Sequence, residues 1–267
     1  MNVPGSRVAA VPVQNLAGGT ANRGRVIRVG ETVVRPIAPC WPATHALLAH
    51  LAAVGFEGAP RVLSARGGTE TLTYIHGRAA VPPLSPDLLT DAALVSLAGL
   101  LRRYHLAVAS FDPSRYQWPR PLPARFMTGL VSHNDVHPAN VVFRDGKAVA
   151  IIDFDLAGPG CVAWDLASAA RNWAPLQDDE DIPDARQGRA LARFRLFLQA
   201  SGLSRAGRRQ VAEAIVANHD WTYAIVAEAA AIGHEGFADH WRAMAQQAAR
   251  ARRWCQRHRR DLIAAAR

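Results

Sequence analysis

Two aspartates and an asparagine lie along one short stretch of this chain in an arrangement suited to moving a phosphoryl group. The stretch reads His133-Asn134-Asp135-Val136-His137-Pro138-Ala139-Asn140, continues through the apolar Val141-Val142-Phe143, turns, and returns as Ile151-Ile152-Asp153-Phe154-Asp155. A phosphoryl group in flight spreads negative charge over its oxygens, so a protein mainly positions the reactants and holds Mg²⁺. Mg²⁺ prefers oxygen ligands, and one carboxylate with one amide oxygen is enough when nucleotide phosphates supply others. Asp153 and Asn140 suit that task. Asp135 suits a base that orients an acceptor hydroxyl and takes its proton as the bond to phosphorus forms.

The elements that must position these groups are legible around them. Arg144-Asp145-Gly146-Lys147 reads as a tight turn joining Val141-Val142-Phe143 to Ala148-Val149-Ala150-Ile151-Ile152. A hairpin of this kind brings Asn140 and Asp153 to one end. Two other readings use the same residues. Asp and Asn favour turns and caps, so they can be ordinary residues on a buried hairpin. His133, Asp135, His137, Asp153 and Asp155 can also be drawn as the His/carboxylate cluster of a metal-dependent hydrolase, although no H-E-x-x-H pair accompanies them.

Asp135 and Asn140 are spaced as in the kinase catalytic loop H-R-D-x-x-x-x-N, with His133 two positions before the Asp, and Asp153-Phe154 resembles D-F-G with Asp155 in place of the glycine. Together the two motifs resemble the aminoglycoside phosphotransferase family, whose pattern is H-x-D-x-x-x-x-N followed by I-D-F/W-[DEG]. Gly158-Pro159-Gly160 and Trp164-Asp165-Leu166-Ala167 resemble the family's segment after the metal-binding Asp. The resemblance implies an α+β, protein-kinase-like fold of two lobes. Residues 1–76 form a small strand-rich nucleotide-binding lobe and residues 77–267 a larger, mainly helical lobe for catalysis and substrate. It implies ATP as donor, with GTP as an alternative, Mg²⁺ as cofactor and a small hydroxylated acceptor. It also implies that His133 is structural and that Asp165 anchors the following helix to the catalytic loop. His137 stands where many protein kinases have a lysine, either to reach the transferred phosphate or as a surface-loop residue. Asp155 joins the metal shell or caps the next turn.

Length and composition agree with a soluble, cytoplasmic enzyme. The 267 residues suffice for one large domain or two modest ones. No apolar run approaches the roughly 20 residues of a membrane span, and Met1-Asn2-Val3-Pro4-Gly5-Ser6 carries no signal pattern. Cys40, Cys161 and Cys255 are scattered without C-x-x-C spacing, which points away from a disulfide framework or a zinc site. The net charge of +9 comes almost wholly from arginine, since Lys147 is the sole lysine. Arginines from Arg242 to Arg267 load a terminal helix. No nucleic-acid motif accompanies them, so a solvated helix face is expected.

Taken in order, residues up to 76 read as strands with one helix. Gly18-Gly19-Thr20-Ala21-Asn22-Arg23-Gly24 follows a first strand and precedes Val26-Ile27-Arg28-Val29 and Thr32-Val33-Val34-Arg35. Glycine lets backbone amides approach phosphate, so Gly18, Gly19 and Thr20 are candidate phosphate contacts, or else a flexible turn. The lysine that kinases carry on the third strand is missing. Arg35 takes its place by order and spacing, as a phosphate ligand or as a surface arginine. The helix from Pro42 to Val54, with a stripe of Leu47, Leu48, Leu51 and Val54, has no glutamate to hold that cation; Thr44 and His45 stand there instead. These two departures leave a non-catalytic, nucleotide-binding regulatory protein as the alternative reading.

Two more strands surround Gly67-Gly68, and the second leads to Tyr74, Ile75 and His76, the candidate contacts to the nucleotide base, with Gly77 permitting a bend. Ser85 and Pro86 read as the cap and first position of a helix striped by Leu94, Leu97, Ala98 and Leu101. The acidic Asp178-Asp179-Glu180-Asp181, with Asp184 close behind, either gathers a cationic substrate or satisfies the dipole of the helix through Leu191, Phe194 and Leu198. Helices near 205–232 and 237–264 complete the lobe, with Trp221, Tyr223 and Trp241 lining a pocket or packing in the core.

Overall fold

The alternating residues of the first lobe pair into an antiparallel sheet. In the computed structural model, which describes residues 12–16, 22, 24–234 and 236–267, strands β1 (Val13–Asn15), β2 (Ile27–Val29), β3 (Thr32–Pro36), β4 (Val62–Arg66) and β5 (Thr69–Thr73) take the order β1-β2-β3-β5-β4. Because β5 inserts between β3 and β4, Arg35 lies directly opposite Glu70. Helix α1 (Trp41–Ala53) crosses between β3 and β4 and buries Leu47, Leu48 and Leu51. Val54 does not join that stripe: the helix ends before it, Gly55 turns the chain at a φ of 77°, and the Val54 side chain stays 48% exposed. Gly18, Gly19 and Thr20 lie outside the described residues.

Gly77 leads the chain out of this sheet. Its φ is 143°, and a Cβ there would stand 2.6 Å from the Phe143 carbonyl oxygen, so only glycine allows the close crossing. The chain then enters β6 (Arg78–Ala79), which pairs with β8 (Val141–Arg144), itself paired with β9 (Lys147–Ile151). The β8–β9 turn is built as its sequence predicts, with Asp145 and Gly146 at φ of 51° and 70°, the doubly left-handed geometry of a tight hairpin. A second small pairing joins β7 (Leu130–Ser132) to β10 (Gly158–Gly160).

Helices α2 (Asp91–Val108), α3 (Val162–Trp173), α4 (Ala190–Ala200), α5 (Arg205–Ala231), α6 (Phe237–Arg257) and α7 (Arg259–Ala265) make up the rest of this lobe. Leu94, Leu97, Ala98 and Leu101 of α2 are fully buried, as their stripe requires. The cap differs from expectation. Ser85-Pro86 opens only a 3₁₀ turn, and Thr90 caps α2 by accepting a hydrogen bond from Ala93 N at 3.1 Å. The terminal helix likewise breaks at His258 into α6 and α7. Trp221 is a core residue: its ring meets Trp164 at 5.9 Å and its Nε1 donates to the Pro121 carbonyl at 3.0 Å.

The charge pattern is resolved by pairing within the lobe. Arg250 holds Asp181 at 2.6 Å, Arg257 holds Asp178 at 2.8 Å, and Arg252 holds Asp220 at 2.6 Å. Asp184 holds Arg186 at 2.7 Å. The arginines of α6 and the acids ahead of α4 therefore answer one another. Among the described residues no helix is long and apolar enough to cross a membrane.

Candidate active site

The catalytic-loop motif is held from below by α3. Asp165, fully buried, accepts hydrogen bonds from His133 N at 2.9 Å and Asn134 N at 2.8 Å, and meets His105 Nε2 at 3.0 Å. One turn later Ser168 Oγ accepts from Val136 N at 3.3 Å. His133 is spoken for at both ring nitrogens: Nε2 donates to the Ile152 carbonyl at 3.0 Å and Nδ1 accepts from Asp135 N at 3.3 Å. That commitment matches the implied structural role and removes His133 from any metal cluster. Asn134 takes a left-handed φ of 69° and donates Nδ2 to the Leu156 carbonyl at 2.8 Å, which fixes the bend that presents Asp135.

The spacing of five between Asp135 and Asn140 is converted into contact by a 3₁₀ turn at Pro138–Asn140. Asn140 Nδ2 donates to Asp135 Oδ2 at 2.9 Å and to the Asp135 carbonyl at 3.0 Å. Ile152 N donates to the Asn140 carbonyl at 2.9 Å, so the open end of the hairpin, opposite its turn, sets Asp153 beside Asn140. Asp153 itself adopts a left-handed φ of 64°, a conformation costly for a non-glycine residue and often retained at functional sites. His137 is exposed and its Nδ1 accepts from Ala139 N at 3.3 Å, a capping contact.

Arg35 is a buried hub rather than a surface arginine. Its Nε donates to Glu70 at 2.6 Å, one terminal nitrogen to Asp153 at 2.9 Å, and the other to Asp155 at 2.6 Å. Burial alone would lower its pKa, but Asp155, Asp153 and Glu70 raise it above the ordinary arginine value. The glutamate missing from α1 is thus replaced from another direction. Glu70, opposite Arg35 on β5, supplies the carboxylate, and His45 of α1 braces it with Nε2 at 2.5 Å from Glu70 Oε2. The signal for Glu70 was its place in Thr69-Glu70-Thr71-Leu72-Thr73, where alternation sends it to the buried side with Leu72. Asp155 holds Arg35, and burial first, then its neighbour Asp153, pushes its pKa up to about 7 against the pull of Arg35.

The donor set fits a magnesium ion. Three carboxylates surround one guanidinium, which leaves surplus negative charge, and among the described residues Asp153 Oδ2 and Asn140 Oδ1 have no protein partner. Among the described residues no three His, Cys, Asp or Glu converge on a point. A cation held by Asp153 and Asn140 would take two protein oxygens and leave the rest of its shell to phosphate and water, as Mg²⁺ does beside nucleotides.

At the link between the lobes, Tyr74 N donates to the Glu31 carbonyl at 2.9 Å and the Tyr74 ring carries the Arg28 guanidinium at 3.7 Å. The His76 carbonyl is taken by Arg144 at 2.8 Å, and its ring pairs with Glu31. Ile75 differs: its main-chain N–H and C=O have no partner among the described residues.

The model of the phosphotransferase enzyme family (APH) matches residues 117–201. The chain is 34% identical over 202 residues to the trifolitoxin immunity protein of Rhizobium leguminosarum bv. trifolii, covering 72% of this chain and 75% of that protein. It is 33% identical over 153 residues to a homoserine kinase of Gluconacetobacter diazotrophicus, covering 57% of this chain and 44% of the kinase. In fold it is similar to the GDP complex of aminoglycoside 2′-phosphotransferase-IIIa, with a TM-score of 0.58, 14% identity, and coverage of 91% of this chain and 94% of the other.

Proposed function

The chain belongs to the aminoglycoside phosphotransferase family, and from that premise we propose that it transfers the γ-phosphate of ATP, or of GTP, to a hydroxyl of a small molecule with the help of Mg²⁺. The observation that carries the reading is the convergence of Asp135, Asn140, Asp153 and Arg35, linked by contacts of 2.9 Å from Asn140 to Asp135 and from Arg35 to Asp153. In this reading residues 1–76 hold the nucleotide and 77–267 carry the chemistry and the acceptor. Asp135 accepts the acceptor's hydroxyl proton, and Asn140 keeps its carboxylate oriented. Asn140 and Asp153 hold the metal, which when bound neutralises charge developing on the phosphate oxygens. Arg35 supplies phosphate contacts, with Gly18, Gly19 and Thr20 as further candidates. Ile75 offers its open main-chain donor and acceptor to the base edge, flanked by Tyr74 and His76.

A thermal-shift titration with ATP and GTP, each with and without Mg²⁺, tests the reading. A ligand that binds only the folded state raises its stability by about 2.7 kcal/mol at one hundred times its dissociation constant. The wild type should show a metal-dependent shift that Asp153→Ala loses, while Asp135→Ala keeps the shift and loses ADP release. Full turnover in Asp135→Ala sinks the mechanism.

A second reading is favoured by the saturation of Arg35 with carboxylates: a protein that binds nucleotide without transferring phosphate. It predicts the same thermal shift with no ADP release from any acceptor. The related immunity protein adds toxins to the acceptors worth screening.

A further inference from the structure

We infer that a cavity between α5, α6 and α7, outside the catalytic cleft, is a binding site for a small amphipathic anion, a carboxylate or phosphate ester with an apolar tail. The inference does not depend on the phosphotransferase reading. The residues lining the cavity are none of those in the site built on Asp135, Asn140 and Asp153. Strand β7 separates the two places, since Arg125 of the cavity precedes it and the catalytic loop follows it.

The cavity holds about 610 Å³, within the range of roughly 300–1,000 Å³ that small-molecule sites occupy. Its depth is apolar. Ala212 of α5, Cys255 of α6 and Leu262 of α7 are buried there, with Val216 and Ala217 of α5 half-buried beside them. Cys255 brings no charge, because its Sγ donates to the Leu176 carbonyl at 3.4 Å and burial pushes its thiol pKa up to about 12. An apolar tail laid on this surface leaves water without giving up a hydrogen bond.

The rim is charged, and its charges do not cancel. Glu213 is held by Arg209 at 2.8 Å and Asp220 by Arg252 at 2.6 Å, so both rim carboxylates are already answered by arginines outside the cavity lining. Arg125 and Arg259 differ: among the described residues neither guanidinium has a hydrogen bond or an ion pair. Outside the described residues the sequence holds a single acid, Glu235, beyond the C-terminal end of α5, while the α5 residues of the cavity run only from Ala212 to Asp220.

Arg125 is also fixed in place. Its guanidinium rests on the ring of the buried Phe126, 4.6 Å from the centroid, which engages its face and leaves its N–H edge for a ligand. With four arginines set against two acids, this end of the cavity keeps a surplus of two positive charges. A neutral apolar ligand leaves that surplus unmet and a cation adds to it. An anionic head at Arg125 and Arg259, with its tail on Val216 and Leu262, satisfies both the rim and the depth.

The test is isothermal titration of the full chain with soluble probes: butanoate, hexanoate, octanoate and octyl phosphate, with 1-octanol and octyltrimethylammonium as neutral and cationic controls. Affinity of the acids should rise with length, by about fourfold for each methylene buried. Octanoate or octyl phosphate should bind about tenfold or more tighter than octanol, the fold-change of a charge-assisted hydrogen bond, and the cation should bind more weakly still. Arg125→Gln combined with Arg259→Gln should bring the ratio of anion to alcohol near one. Ala217→Trp should fill the cavity and abolish binding of every probe. Both arginines are exposed, so the paired variant keeps its fold, which helical circular dichroism and the urea midpoint report. No saturable binding of any anion, an alcohol or cation that binds as tightly, or a preference that survives the paired variant overturns the inference. Sedimentation with phosphatidylglycerol vesicles without binding of the soluble anions also overturns it, because the face would then be a membrane surface.

Discussion

Arg35 shows what a guanidinium can do that an ammonium cannot. Its planar fork reaches Glu70 on one edge and the two aspartates on the other, three carboxylates from two parts of the chain. Truncating Glu70 to alanine leaves Arg35 Nε and His45 Nε2 facing a cavity. Glu70→Ala is expected to cost about 2 kcal/mol of unfolding free energy in urea, below the usual loss for a broken buried pair because both aspartates remain. Glu70→Gln, which keeps the shape, should cost less. Arg35 itself was legible in the sequence, because chain order and alternation place it without knowing what it touches. Its partner was not. Glu70 is 35 residues away, and their meeting depends on β5 pairing with β3 rather than on any local spacing. Asp135, Asn140 and Asp153 were legible for the opposite reason: one short loop and one hairpin fix all three.

Among the elements, the α5–α6 pairing carries a pH dependence. His219 of α5 is buried and its Nε2 meets the Ala248 carbonyl of α6 at 3.0 Å. Burial, reinforced by the Arg171 charge, lowers its pKa from 6.5 to about 4. Between those values the unfolded chain binds a proton that the folded one refuses. Stability is therefore fully present above pH 6.5 and falls as the pH drops towards 4, by about 3 kcal/mol in all. Urea unfolding at pH 7 and pH 4.5 should show this loss in the wild type. His219→Gln should show a smaller loss, and an equal one would assign the acid sensitivity elsewhere. Helix existence was legible from apolar stripes, as in α2 and α4, while the ends were less so. Thr90 outcompetes Ser85 as a cap because the intervening 3₁₀ turn absorbs the Ser-Pro signal.

At the scale of the molecule, Arg35 stands in one lobe and Asp153 and Asp155 in the other, so its ion pairs tie the lobes across the cleft. Arg35→Ala should let the lobes separate and raise the radius of gyration in solution scattering, even where the variant's helical content is unchanged. An unaltered radius would mean that the link at Gly77 sets the angle without help. A molecule tied at rest has a kinetic consequence. Under the proposed phosphotransferase function, donor and cation would enter by exchanging places with contacts already made, so entry would wait for the tie to break. The observed association rate should level off at high nucleotide concentration, at a ceiling set by the protein's own opening rather than by diffusion.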